Sequence, residues 1–137
     1  SPEFSAVFQE DRRCETFSPV ENLRFVLGKS VSREDIRREL SLLLPEESLS
    51  RPVFTLSGGM KRLTAICRAM TAHSDLIIMD EPFTVLDEDT KKLVIEYIKS
   101  RQRGRLLIVS THQEEDVELL GGELVRMERL RAVAPHS

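Results

Sequence analysis

The run Leu76-Ile77-Ile78-Met79, followed at once by Asp80, Glu81 and Pro82, constrains this chain more than any other segment. Four consecutive apolar residues ending in a charged pair predict a strand buried on both faces, the kind found in parallel sheets covered by helices. Pro82 cannot donate a ladder hydrogen bond, so the strand must stop where the two acids stand. Open α/β sheets place their ligands outside the carboxyl ends of their strands. Asp80 and Glu81 are therefore expected at a site, with Asp80 holding Mg²⁺, usually through water, and Glu81 orienting and deprotonating an attacking water.

A second segment, Leu56-Ser57-Gly58-Gly59-Met60, points to an anion. Ser57 is a good N-cap, the two glycines permit close backbone approach, and Leu63, Ile66, Cys67 and Met70 recur at helical spacing. The free N–H groups at such a helix start, with the Ser57 hydroxyl, suit a phosphate.

The two segments together resemble the signature and Walker B motifs of ABC-type ATPases. Three further residues fall in the family's order. Gln9 looks like the Q-loop glutamine, which the resemblance implies contacts Mg²⁺ or the attacking water. Asp87 looks like the D-loop aspartate, which communicates across a dimer, and His112 like the switch histidine, which meets the γ-phosphate. Ser57, Gly58, Gly59 and Met60 are then expected to bind nucleotide. Met60 stands where the family most often has glutamine, and Val85 where it commonly has a small residue; neither removes a catalytic group.

No Gly-x-x-x-x-Gly-Lys-Ser/Thr phosphate loop (Walker A) occurs in the chain. The Gly28-Lys29-Ser30 run has Leu23 at the place of the first glycine. Ser18-Pro19-Val20-Glu21 reads instead as a capping box with proline at the first helical position, and Gly28 as the C-cap of that helix. Ser1-Pro2-Glu3-Phe4 resembles a cloning scar, so the expectation is a C-terminal piece of an ABC ATPase.

Composition excludes several classes. A net charge of -3 gives no case for nucleic-acid binding, and 40% hydrophobic with 31% charged residues is ordinary for a globular domain. Lys61-Arg62 and Arg101 to Arg105 are read as solvated helix surface and helix C-terminal charge. No apolar run reaches the roughly 18 residues that span a bilayer. Cys14 and Cys67 lack metal-ligand spacing and are expected as free thiols; His73 and His136 are read as structural.

The expected fold is an α/β, partial RecA-like P-loop NTPase core with a helical subdomain and no Walker A strand. The division is 1–4 scar, 5–73 Q-loop and helical subdomain, 74–130 C-terminal part of the core, and 131–137 tail. Ser32 is expected to cap a helix carrying Ile36, Leu40, Leu43 and Leu44 up to Pro45. Further on come a helix from about Asp89 to Arg101 using Leu93, Val94, Tyr97 and Ile98, a strand ending at Thr111, a helix from Glu114 to Leu120, and a strand near Glu123 to Glu128. A sheet without its Walker A strand would expose unpaired edges, so dimerisation, swapping or aggregation is expected.

The resemblance implies an ATP-binding and ATP-hydrolysing transporter subunit, with ATP and Mg²⁺ as cofactors in the intact protein. Its implied partners are transmembrane permease subunits and a second ATPase subunit, and its implied place the cytoplasmic face of the cell membrane. The short interval between Gln9 and Ser57 leaves no room for the coiled coil of DNA-repair relatives. The run from Val7 to Asn22, with Ser57 to Arg62, looks closest to importer ATPases of the nitrate, sulfonate and taurine kind. The competing reading is a non-catalytic interaction module or degenerate ABC ATPase.

Overall fold

A computed structural model describes residues 3–7 and 15–122. Three parallel strands, β1 (Phe4–Val7), β2 (Leu76–Asp80) and β3 (Leu106–Ser110), form one sheet in the order β1-β2-β3. Phe4 lies opposite Leu76, and Leu76 opposite Leu106, so Asp80 stands beside Ser110 at the carboxyl end. Parallel neighbours need long crossovers. The first runs through α1 (Pro19–Leu27), α2 (Arg33–Leu40) and α3 (Gly58–Thr71), and the second through α4 (Glu88–Gln102). A last helix, α5 (Glu114–Leu120), follows β3.

Local chemistry accounts for the helix starts. Ser18 and Glu21 exchange both capping-box bonds at 2.9 and 3.1 Å with Pro19 at the first position, and Gly28 closes α1 at φ 77°. Ser32 caps α2 through the Asp35 N–H at 3.0 Å. Helix α2 is shorter than expected. It ends at Leu40, where the N–H groups of Leu42 and Leu43 bond to Glu39 and Leu40 three residues back, a tightened turn that still delivers Leu43 and Leu44 to the core. In α4, Val94, Tyr97 and Ile98 are buried as expected. Leu93 is half exposed, and Ile95 takes the inward place expected for it.

The core forms where α1, α3 and α4 cover the sheet, with Leu23, Ile66, Ile77, Met79, Val94 and Ile98 inaccessible or nearly so. Strand β1 places Phe4, from the stretch read as a scar, in the sheet, and puts part of 5–73 in the same sheet as 74–130. Strand β3 pairs only with β2 among the described residues, leaving Leu106 and Ile108 exposed. The strand expected near Glu123 to Glu128 and the 131–137 tail lie outside the described residues, as do Gln9, Cys14 and His136.

One charge assignment needs correction: Arg62 is buried, not solvated. The reading of Arg101 to Arg105 as helix C-terminal charge holds: Arg101 stands in the last turn of α4 and binds Glu39 of α2 at 2.7 and 3.0 Å, and Arg105 donates to the carbonyls of Met70, Ala72, Arg101 and Gln102. Helix C-termini leave carbonyls without intrahelical donors. The Arg105 guanidinium supplies donors to two helix ends at once.

Candidate functional site

The carboxyl ends of β2 and β3 bring together the strand-end residues singled out in the sequence. The Ser110 hydroxyl donates to Asp80 Oδ1. One residue on, the Glu81 N–H bonds to the Ser110 carbonyl at 2.8 Å, prolonging the ladder. Glu81 then turns to φ 46°, a left-handed conformation that non-glycine residues rarely adopt and that a following proline disfavours further. Such strain is held only where surrounding structure enforces it, and it clusters at functional sites. Pro82 and Phe83, which follow Glu81, are buried and anchor the chain just beyond the turn.

The result is a carboxylate aimed at the strand that follows. His112 Nε2 lies 3.2 Å from Glu81 Oε1, with the Glu81 side chain 14% and the His112 side chain 95% exposed. These two residues, with Thr84, Thr111, Lys91 and Asp116, line a cleft of about 310 Å³. Lys91, on α4, is buried beneath it, 2.8 Å from Asp116 Oδ1. The Asp116 bond outweighs burial and holds the Lys91 amine above its ordinary range.

Asp87 caps α4, accepting from the Thr90 N–H at 2.7 Å. That bond holds its carboxyl below the usual range, so its local role is a helix cap. Ser57 caps α3 in the same way through the Met60 N–H at 3.2 Å. A side chain on Gly58 would meet nothing within 4 Å, whereas one on Gly59 would lie 3.6 Å from the Val85 carbonyl. The signature start therefore rests on the 85–86 segment, with Gly58 facing open space. Met60 packs partly against the core and Val85 is half exposed. Ser57, Gly58 and Gly59 do not line the Glu81 cleft.

The donor set suits Mg²⁺ and not a metal held by protein alone. Among the described residues no group of three or more His, Cys, Asp and Glu is placed to hold a metal ion. Asp80 has one oxygen engaged by Ser110 and a second oxygen to offer. Mg²⁺ takes one or two carboxylates and completes its octahedron with water and phosphate oxygens.

A larger cleft, about 690 Å³, opens at the amino end of the sheet. Its charges are largely spent on one another, through Glu39 with Arg101 and Arg105 with backbone carbonyls. Nearby Cys67 lies 3.2 Å from the Tyr97 hydroxyl, and burial pushes its thiol up to about 12. It is no nucleophile at neutral pH.

The carboxyl-end acids and histidine, with the capped glycine pair at the start of α3, can be set beside known proteins. The chain belongs to the ABC transporter family, whose model matches residues 1–84. It is 34% identical over 137 residues to Nod factor export ATP-binding protein I of Cupriavidus metallidurans, covering 93% of this chain and 45% of that protein. It is 33% identical over 124 residues to the molybdenum import ATP-binding protein of Haemophilus influenzae, covering 89% of this chain and 35% of that one. A solved dimeric bacterial ABC transporter cassette superposes with TM-score 0.70 at 25% identity, covering 86% of this chain and 56% of that one. The chain thus spans less than half the length of these two relatives. Among the described residues no helix is long and apolar enough to cross a membrane.

Sequence reading missed three participants. Ser110 is found by laying β3 beside β2 in parallel register. Lys91 and Asp116 carry no motif of their own and emerge only from the packing of α4 against α5.

Proposed function

We propose that this chain supplies the Walker B, signature, D-loop and switch elements of an ATP-hydrolysing transporter subunit. The observation that carries the reading is the Glu81–His112 pair at 3.2 Å beside Asp80, on the carboxyl ends of adjacent parallel strands. In this reading two ATPase subunits close around ATP, so that Ser57, Gly58 and Gly59 of one face the strand-end acids of the other. That Ser57, Gly58 and Gly59 do not line the cleft of their own chain's Glu81 supports that arrangement.

Asp80, with Gln9, would hold Mg²⁺, which when bound neutralises charge on the phosphates. Glu81 accepts the proton of the attacking water, its carboxylate preset by the strained backbone. His112, nearly free of packing, is placed to meet the γ-phosphate on closure. The N–H groups at the start of α3 and the Ser57 hydroxyl bind phosphate oxygens of the facing nucleotide. Asp87 and exposed Val85 lie at the subunit contact.

The partners in this reading are a second ATPase subunit, of the same or a different kind, and transmembrane permease subunits on the inner face of the membrane. The importer subtype rests on the Val7 to Asn22 and Ser57 to Arg62 runs, while the similar proteins above include an exporter and an importer by name. Turnover stimulated by importer permeases and not by exporter ones would support it. Because the sequence holds no phosphate loop, the chain by itself is read as inactive and able only to dock. The central test is Glu81→Gln in the assembled ATPase. ATP binding should persist while turnover falls by about a hundredfold or more; near-normal turnover would remove Glu81 as the base.

A further inference from the structure

We infer that Lys91 is a positioning residue, fastening the segment that carries His112 so that its imidazole stays against Glu81. The inference rests on the reading of Glu81 and His112 as a working pair. The His112 side chain is 95% exposed, so side-chain packing does little to hold it. Its place is set by the backbone on either side, and both sides are tied to one buried ammonium. Lys91 Nζ lies 3.3 Å from Gln113 Oε1, directly after His112, and 2.8 Å from Asp116 Oδ1. Directly before His112, the Thr111 hydroxyl donates to Asp116 Oδ2 at 3.3 Å and accepts from the Gln113 N–H at 3.1 Å.

The remaining neighbours of the amine are Glu88 and Glu115, both at 3.6 Å with largely exposed side chains. These rim carboxylates are screened by water and contribute little. The Lys91–Asp116 pair is buried on both sides, 5% and 3% exposed, where removing one partner strands the other charge. Lys91 also sits one turn into the helix that Asp87 caps, its N–H bonded to the Asp87 carbonyl at 2.8 Å. A displacement of the Asp87 end of α4 would therefore pull on the His112 segment through a single side chain.

The test is NMR on the full 137-residue chain, reading the cross-relaxation between the His112 ring protons and the Glu81 side chain in the native protein, Lys91→Met, Lys91→Arg and Asp116→Asn. The contact should be present in the native chain, lost in Lys91→Met and Asp116→Asn, and restored in Lys91→Arg, while amide signals of β2 and β3 keep their native positions. Amide exchange at Gln113 should quicken by about tenfold in the two disabled variants. Persistence of the His112–Glu81 contact in either folded variant would overturn the inference. So would loss of the contact only together with the β2 and β3 signals, which would make Lys91 a general stabiliser. Because the readout needs no nucleotide, its failure is separable from failure of the ATPase reading, which the Glu81→Gln experiment decides.

Discussion

The two ends of the sheet are built on opposite terms. At the amino end, Arg105 answers four backbone carbonyls, and Glu39 accepts from Tyr97 at 2.6 Å and from Arg101, whose guanidinium also lies 5.2 Å from the Tyr97 ring. These bonds tie α2, α3 and α4 together, although Arg68 Nε on α3 is buried without a hydrogen-bond partner among the described residues. At the carboxyl end, Glu81 carries a left-handed backbone, His112 projects into solvent and Gly58 faces open space. Left-handed backbone occurs at both ends, at Arg103 (φ 51°) and at Glu81, but only at the carboxyl end does it carry a carboxylate set against an exposed histidine.

The comparison breaks most readily at Arg105. Arg105→Ala should cost about 3 kcal/mol, because helix-end carbonyls lose a charged donor; urea unfolding with an unchanged midpoint would show the amino end to be less critical than its bonds imply. Next comes Glu39→Gln, expected to cost about 1.5 kcal/mol. Burial by itself would raise the Glu39 pKa, yet the Arg101 and Tyr97 bonds outweigh it and hold the carboxyl below its ordinary 4.5. Its contribution is therefore complete above about pH 4.5 and fades as pH falls through the lowered folded value. Acid unfolding of Glu39→Gln should show a shallower loss across that window than the native chain.

The smallest stability effect should have the opposite sign. Glu81→Gly relieves the left-handed strain and should stabilise by about 1 kcal/mol, measured by thermal unfolding, while removing the carboxylate. Destabilisation would mean that Glu81 contacts, not its backbone, dominate there. Among the described residues β3 has a neighbour on one side only, which gives a last, qualitative check, since exposed Leu106 and Ile108 on such an edge strand invite association. Light scattering should show oligomers growing with concentration; a monomer over a wide range would contradict that expectation.

What was legible in the sequence follows the same division between local and distant causes. The caps Ser18, Ser32 and Ser57, the Gly28 stop and the β2 run with its terminal acids depend on neighbours a few residues away, and each stands where its residues predict. Strand β1 was not legible, because Phe4-Ser5-Ala6-Val7 is short and half small residues, and becomes a strand through pairing with β2. The Glu39 clamp joins residues 58 and 62 positions apart, and Lys91 meets Gln113 across 22. No periodicity reports such meetings. At the site, Asp80, Glu81 and His112 were readable as strand ends, whereas the residues that hold them were not.

The sheet's connectivity also sets a timetable. Glu3, just before β1, bonds to Asp75, just before β2, across 72 positions of chain. At ribosomal speeds, β1 emerges several seconds before the strand it pairs with. Helices α1, α2 and α3 close on local contacts within that interval, whereas the parallel pairing must await a large loop closure. For those seconds Phe4 to Val7, its Phe and Val side chains without the partner that makes it a strand, is a stretch of nascent chain that a chaperone would have reason to hold.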